Sequence, residues 1–147
     1  MKFLISTFLI MTGGVLHAQS ISDCDWKANA QGLVEPWNAN TRTFANGDVR
    51  LALVDTIEPA AGAFHILIFS PPENELGERQ CKAVGIDDSV GFSGVDFQNL
   101  VAAYDPAKGL IFDFPVNVFD AETGGFPAKM LNISLNLATG HIMAAYK

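Results

Sequence analysis

Along much of the chain, apolar and polar residues alternate with a period of two, the spacing of a strand with one buried and one solvated face. Residues 110–119 put Phe112, Phe114, Val116 and Val118 on one side and Asp113 and Asn117 on the other. Residues 126–136 repeat the scheme, with Leu131, Ile133 and Leu135 against Asn132 and Ser134. Val49, Leu51 and Leu53 share a face opposite Arg50 and Ala52. The run 64–69 differs, being apolar on both faces apart from His65. A run of that kind belongs in the middle of a sheet or between two layers. Pro71 and Pro72 are expected to end it, since neither can donate to a ladder. Residues 79–86 predict another strand, carrying Cys81.

Turn chemistry sits between these runs. One five-residue pattern occurs three times: DPAKG at 105–109, DAETG at 120–124 and NLATG at 136–140. Asp or Asn at the first position of a type I turn caps the backbone N–H two residues on. The closing Gly then takes the left-handed conformation that returns the chain antiparallel. These turns predict a four-strand antiparallel meander in the last third of the chain. Asn46-Gly47 is a separate hairpin signal after residues 37–44.

The meander's first strand is ambiguous. Phe97, Leu100, Val101 and Tyr104 have the i, i+3, i+4, i+7 spacing of an amphipathic helix. A strand at 95–104 is preferred, because the hairpin turn that follows needs a partner before it. The expected fold is all-β, an antiparallel β-sandwich or small meander barrel in a single domain; a helix at 95–104 would make it α+β. Residues 19–36 predict irregular structure with a helical turn or two. The only tryptophans, Trp26 and Trp37, are expected to plug the ends of the core, with stacking on a ligand as the alternative.

Residues 1–18 have the form of a secretory leader. Lys2 supplies the positive end, an apolar run too short to span a bilayer follows, and Ala18 is the expected cleavage residue, with Ser20 as the alternative. The remaining 19–147 suffice for one β-rich domain. Export would place the protein in the periplasm or outside the cell, with no membrane insertion after cleavage. In that compartment Cys24 and Cys81, the only cysteines, are expected to form a structural disulfide. The net charge of −7 argues against nucleic acid as a partner and admits a basic protein surface or a small ligand.

Catalytic motifs are lacking. There is no HExxH or Cys/His ligand spacing, no phosphate-cradling glycine loop, and no cofactor signature. Ser93, in GFSG at 91–94, lacks the second glycine of a nucleophile elbow at its required place. His65 is expected to be a hydrogen-bonded core histidine and His141 an exposed one. The sequon at Asn132 falls in mid-strand and is taken as chance. If successive strands are antiparallel, the loops at 58–62, 87–94 and 120–125 share one end of the sheet. They would gather Glu58, Asp87, Asp88, Asp120 and Glu122, the last four being candidate ligands for a hard cation, and the group a docking surface for a basic partner. The expectation is an exported, disulfide-stabilised, non-catalytic binding or interaction module. The alternative is a small periplasmic hydrolase using loop carboxylates as acid and base. An outer-membrane barrel fits poorly, since 64–69 leaves no polar lumen face.

Overall fold

A computed structural model describes residues 18–147. The leader expected at 1–18 therefore lies, apart from Ala18, outside the described residues. The chain forms two antiparallel sheets. The first contains β1 (Ser20–Asp23), β2 (Thr41–Phe44), β3 (Val49–Asp55), β4 (Phe64–Glu73) and β5 (Arg79–Gly85), in the order β1-β5-β4-β3-β2. The second contains β6 (Gly94–Val95), β7 (Val101–Asp105), β8 (Gly109–Asn117), β9 (Ala128–Leu135) and β10 (Ile142–Tyr146). Its order is β10-β9-β8, with β6 and β7 both on the outer edge of β8. The structure is thus the expected all-β antiparallel fold, and β7 to β10 are the expected meander.

All three pentapeptide turns work as their sequences require. Asp105, Asp120 and Asn136 each accept, at the side-chain oxygen, the backbone N–H two residues on, at 2.8, 3.0 and 3.0 Å. Gly109, Gly124 and Gly140 have φ of 99°, 69° and 72°. The hairpin at Asn46-Gly47 joins β2 to β3 with both residues left-handed.

The sheets face each other across one core. Val49, Leu51 and Leu53 of β3, Ile66 and Ile68 of β4 and Val84 of β5 meet Phe112, Phe114, Leu131, Ile133 and Leu135 of β8 and β9, all buried. These are the alternate positions legible in the sequence. Each fully buried side chain of this size contributes roughly 1.5–3 kcal/mol relative to exposure. Main chain closes one flank: Ala18 bridges Ala145, and the Gln19 N–H donates to the Ala144 carbonyl at 2.9 Å before the chain crosses to pair with β5. Side chains close the other, with the Phe44 ring 4.9 Å from that of Phe112 and Arg42 Nη1 donating to the Leu100 carbonyl at 3.5 Å.

Three local expectations need correction. The segment 95–104 is neither one strand nor a helix: β6 and β7 are separated by a loop. Asp96 Oδ1 accepts the Asn99 N–H at 3.2 Å, and the turn drops Phe97 and Leu100 into the core while Val101 and Tyr104 stay exposed. The helical spacing was therefore real for one turn, and burial of two large side chains decided where it stopped. Second, Pro71 and Pro72 do not end β4. The strand continues to Glu73 through a register shift between Ser70 and Glu73, the arrangement by which a ladder tolerates residues without N–H donors. Third, the region 19–36 contains a strand, β1, that its sequence did not announce.

Both faces of β4 are buried, as its composition demanded. Leu67 packs outward with Ala52, Val54, Ala83 and Cys24 in a second apolar cluster. His65, on that face, is fully buried, with Nδ1 3.3 Å from the Ala63 carbonyl and Nε2 lacking a partner among the described residues. Gly85 and Gly91 make room for the ring, since a β-carbon there would lie 2.9 and 2.8 Å from it. Desolvation pushes the His65 pKa below 6.5, helped by the Lys27 charge and opposed by the Ala63 hydrogen bond and by Asp87. The unfolded chain therefore takes up this proton before the folded one. Stability is expected to be full above pH 6.5 and to fall below it by up to about 1.4 kcal/mol per pH unit, until the folded pKa is passed. Urea unfolding of the native chain and of His65→Leu checks this: the variant should lose the slope just below pH 6.5, and equal slopes would refute the assignment.

Candidate functional site

The second cluster needs a cover, and the chain between β1 and β2 supplies it. The Cys24–Cys81 disulfide, with Cα atoms 5.4 Å apart, ties the start of this arm to β5, as the sequence predicted. Two single 3-10 turns follow, Asp25–Lys27 and Ala30–Gly32, the second capped by Asn29 Oδ1 accepting the Gln31 N–H at 3.0 Å. Leu33 bridges Val54, and the Val34 N–H donates to the Leu53 carbonyl at 3.0 Å, so the arm ends hooked to β3. It thus runs across the outer face of the first sheet, bound at both ends. A helical turn, α1 (Trp37–Asn40), leads from it into β2.

Between this arm and the end of β3 lies a cleft of about 470 Å³. Trp26, Asn29, Gln31 and Glu35 line it from the arm, and Asp55, Thr56 and Ile57 from the opposite lip. Its volume is within the range of small-ligand sites, about 300–1,000 Å³. Trp26 is 60% exposed, with Lys27 Nζ 5.2 Å from its ring. Lys27 itself is buried and donates to Ser22 Oγ at 3.4 Å, so a cation backs the indole from the protein side. Across the cleft, Ile57 has φ of 69° and is 76% exposed. A β-branched residue is strained there, at roughly 1–3 kcal/mol. Asp55 Oδ1 holds it by accepting the Ile57 N–H at 2.7 Å, and Thr56 Oγ1 anchors the same turn on the Ala63 carbonyl at 3.0 Å. Trp37, 56% exposed, lines a neighbouring hollow of about 360 Å³ with Glu35, which both recesses share.

The tryptophans therefore do not plug the core. The phenylalanines of β8, with Phe92 and Phe97, already fill it, and both indoles fall on the arm outside the two sheets. The alternative of ligand stacking suits their exposure, although no motif marks the cleft beside them. The available signal was a tryptophan on each side of a stretch, 26–37, that lacks strand alternation and follows a cysteine.

The loops at 58–62 and 87–94 do meet, through Gly91 N–H to the Gly62 carbonyl at 2.6 Å, and Ser93 N–H reaches the Asn117 carbonyl at 2.8 Å. Their carboxylates accept hydrogen bonds from other groups. Asp87 Oδ1 accepts the N–H groups of Ser89 and Val90, and Asp88 Oδ1 accepts Ser20 Oγ–H at 2.9 Å. Asp120 accepts from Thr123 Oγ1 and the Glu122 N–H, and these bonds lower its pKa, the Thr123 hydroxyl foremost. That direction is opposite to the one a general acid needs. Glu122 is exposed at the turn tip. Among the described residues no three His, Cys, Asp or Glu side chains are grouped so as to hold a metal. Ser93 donates its hydroxyl to the Ala61 carbonyl, and Asn132 Nδ2 donates to Asp113 Oδ1 at 2.7 Å on the outer face of the second sheet. No described helix is long and apolar enough to cross a membrane. Comparison with protein-family models, with curated proteins and with solved structures finds no match for this chain.

Proposed function

We propose that the chain is an exported, non-catalytic binding module of the periplasm or extracellular space, and that its ligand is a saccharide held in the cleft under Trp26. The observation that carries this reading is an indole 60% exposed at the lip of a cleft on an arm fastened by a disulfide. An indole offers a large, rigid apolar face on which a ligand can stack, and at this lip it stands beside a cleft rather than on open surface. A sugar ring has an apolar C–H face and a rim of hydroxyls. Trp26 and Ile57 suit the first; Gln31 and Glu35 suit the second. The leader-like residues 1–18 and the disulfide support export. A basic protein partner would also suit the net charge of −7, but a cleft of this volume favours the small ligand. The hydrolase alternative gains nothing from Asp120, whose hydrogen bonds lower its pKa, the direction opposite to that of a general acid.

A Trp37→Phe variant leaves Trp26 as the only fluorophore of its kind. Titration with neutral oligosaccharides of glucose, N-acetylglucosamine and galactose is expected to shift its emission saturably for at least one. Trp26→Ala should weaken that binding at least about tenfold, given that aromatic anchors carry most of such energy. No shift with any of these probes would overturn the saccharide assignment.

A further inference from the structure

At one edge the second sheet ends on β7, a strand open on both faces and along its outer side. We propose that this edge pairs with β7 of a second copy of the chain, antiparallel about Ala103, to give a two-fold dimer in which the two second sheets are continuous.

Val101 and Ala103 lie on one face of β7 and Ala102 and Tyr104 on the other, yet all four are exposed, Val101 at 62% and Tyr104 at 67%. The register of β8 fixes which backbone groups point outward. The Asp96 N–H donates to the Pro115 carbonyl at 2.9 Å, so the carbonyls of Pro115, Asp113 and Ile111 face this edge in alternation. Val101 and Ala103, opposite Asp113 and Ile111, therefore bond to β8. Ala102 and Tyr104 turn their N–H and C=O groups away from it. Leu100 has the same parity, and its carbonyl accepts Arg42 Nη1 at 3.5 Å. Pro106 has no N–H to offer. The open pairing positions of this edge are thus Ala102 and Tyr104.

That pattern is self-complementary. Pairing about Ala103 sets Ala102 opposite Tyr104 of the second copy, and the two-fold axis repeats the pair. Each pair exchanges two hydrogen bonds, which satisfies the outward N–H and C=O of both residues on both chains. On that face each phenol ring lies across a methyl group, large against small, and on the axis the two Ala103 methyls meet. The ladder stops one step further on, where Leu100 faces Pro106. Charge also fits. Each copy carries a net −7, but no charged side chain lies from Val101 to Tyr104. Beyond the strand ends, the turn bearing Lys108 comes alongside the loop bearing Asp96 of the other copy, and Lys108 has no ion pair among the described residues. Other edges are guarded: the Ala144 carbonyl of β10 accepts the Gln19 N–H, and β2 carries Arg42. β7 has none of the lysines, prolines or bulges that keep an edge strand from pairing. A seam of one strand pair is small, so the dimer is weak and concentration-dependent.

Sedimentation velocity of the purified chain between about 1 μM and 1 mM, the range of weak complexes, is expected to show monomer passing to dimer. Ala103→Lys brings like charges together on the axis and should keep the chain monomeric throughout. Ala102→Pro, which removes an outward N–H and spares the β7–β8 ladder, should do the same. Mixing Ala103→Lys with Ala103→Glu should restore a dimer containing one of each. A native chain that stays monomeric at every concentration would overturn the proposal. So would a dimer that both single variants leave intact, because it would use another surface. If the Lys and Glu variants do not pair with each other, the register about Ala103 is wrong and the proposal fails with it.

Discussion

Replacing both Cys24 and Cys81 with serine is expected to lower the unfolding free energy by about 4 kcal/mol and to abolish the saccharide binding proposed for the Trp26 cleft. The bridge spans 57 residues of sequence, and a loop of that length in the unfolded chain carries about this much closure entropy. For a domain with a total stability of about 5–15 kcal/mol, that is a large fraction. The folded state adds a local reason. The arm covers Ala52, Val54, Leu67 and Ala83, which the two sheets by themselves leave facing outward. At its far end the Leu33–Val54 bridge, the Val34 to Leu53 hydrogen bond and the packing of Leu33 and Val34 on the two apolar clusters hold it. Without the disulfide the near end keeps the β1–β5 ladder and the Cys24 N–H to Cys81 carbonyl bond at 3.3 Å. The turns beyond Cys24 lose their covalent anchor, which loosens the cover over the cluster and the placing of Trp26 against Asp55 and Ile57. Urea unfolding gives the first number and saccharide titration of the Trp37→Phe background the second. A loss below about 1 kcal/mol with binding retained would show that the β3 contacts suffice to seat the arm.

Alanine at the three turn glycines should give three unequal losses despite their common signature. All three have positive φ, so a β-carbon costs roughly 1–2 kcal/mol at each. At Gly124 nothing lies within 4 Å of the added carbon, and that cost should be the whole effect. At Gly109 the carbon would lie 2.2 Å from the Leu135 carbonyl oxygen, and at Gly140 2.3 Å from Pro72 Cδ and 3.0 Å from the Pro71 carbonyl oxygen. Backbone and a proline ring cannot move aside as a flexible side chain can. Forcing them apart adds roughly 1–3 kcal/mol, for totals of about 2–5 kcal/mol. Thermal or urea unfolding of the three variants measures the ranking directly. A Gly124→Ala loss equal to that of Gly140→Ala would remove the close approach as the cause.

The same trio shows what local sequence could and could not convey. Asp or Asn first and Gly fifth specified the turns, because capping and left-handed backbone are properties of a few consecutive residues. That the turn at 136–140 packs under the Pro71-Pro72 bulge of the other sheet, with Gln80 Nε2 donating to the Gly140 carbonyl at 2.8 Å, depends on residues far away in the chain. Alternation likewise made β3, β8 and β9 legible, and the apolar run in β4 foretold two covered faces. What covers the second face was not legible, since the arm has no periodicity and takes its path from Cys81, Leu53 and Val54.

The candidate site divides in the same way. Its anchors were visible: two cysteines in a chain expected to be exported predict their own bond. The residues that line its cleft were not. An exposed tryptophan and a core tryptophan are the same letter, and only the filling of the core by Phe92, Phe97, Phe112 and Phe114 left Trp26 and Trp37 outside. The acidic loops show the converse. Topology did bring the loops at 58–62 and 87–94 together, yet Asp87, Asp88 and Asp120 each found a donor within reach and did not converge.

By itself, then, the sequence determined the strand class, the meander with its turns, the both-sided burial of β4 and the disulfide, because each follows from spacing over a few residues or from the chemistry of one residue type. Tertiary structure decided where the helical spacing at 97–104 stops, how Ala18 and Gln19 join the sheets, and which residues line the cleft. Those outcomes depend on competition for the same buried volume and the same hydrogen-bond donors among segments distant in the chain.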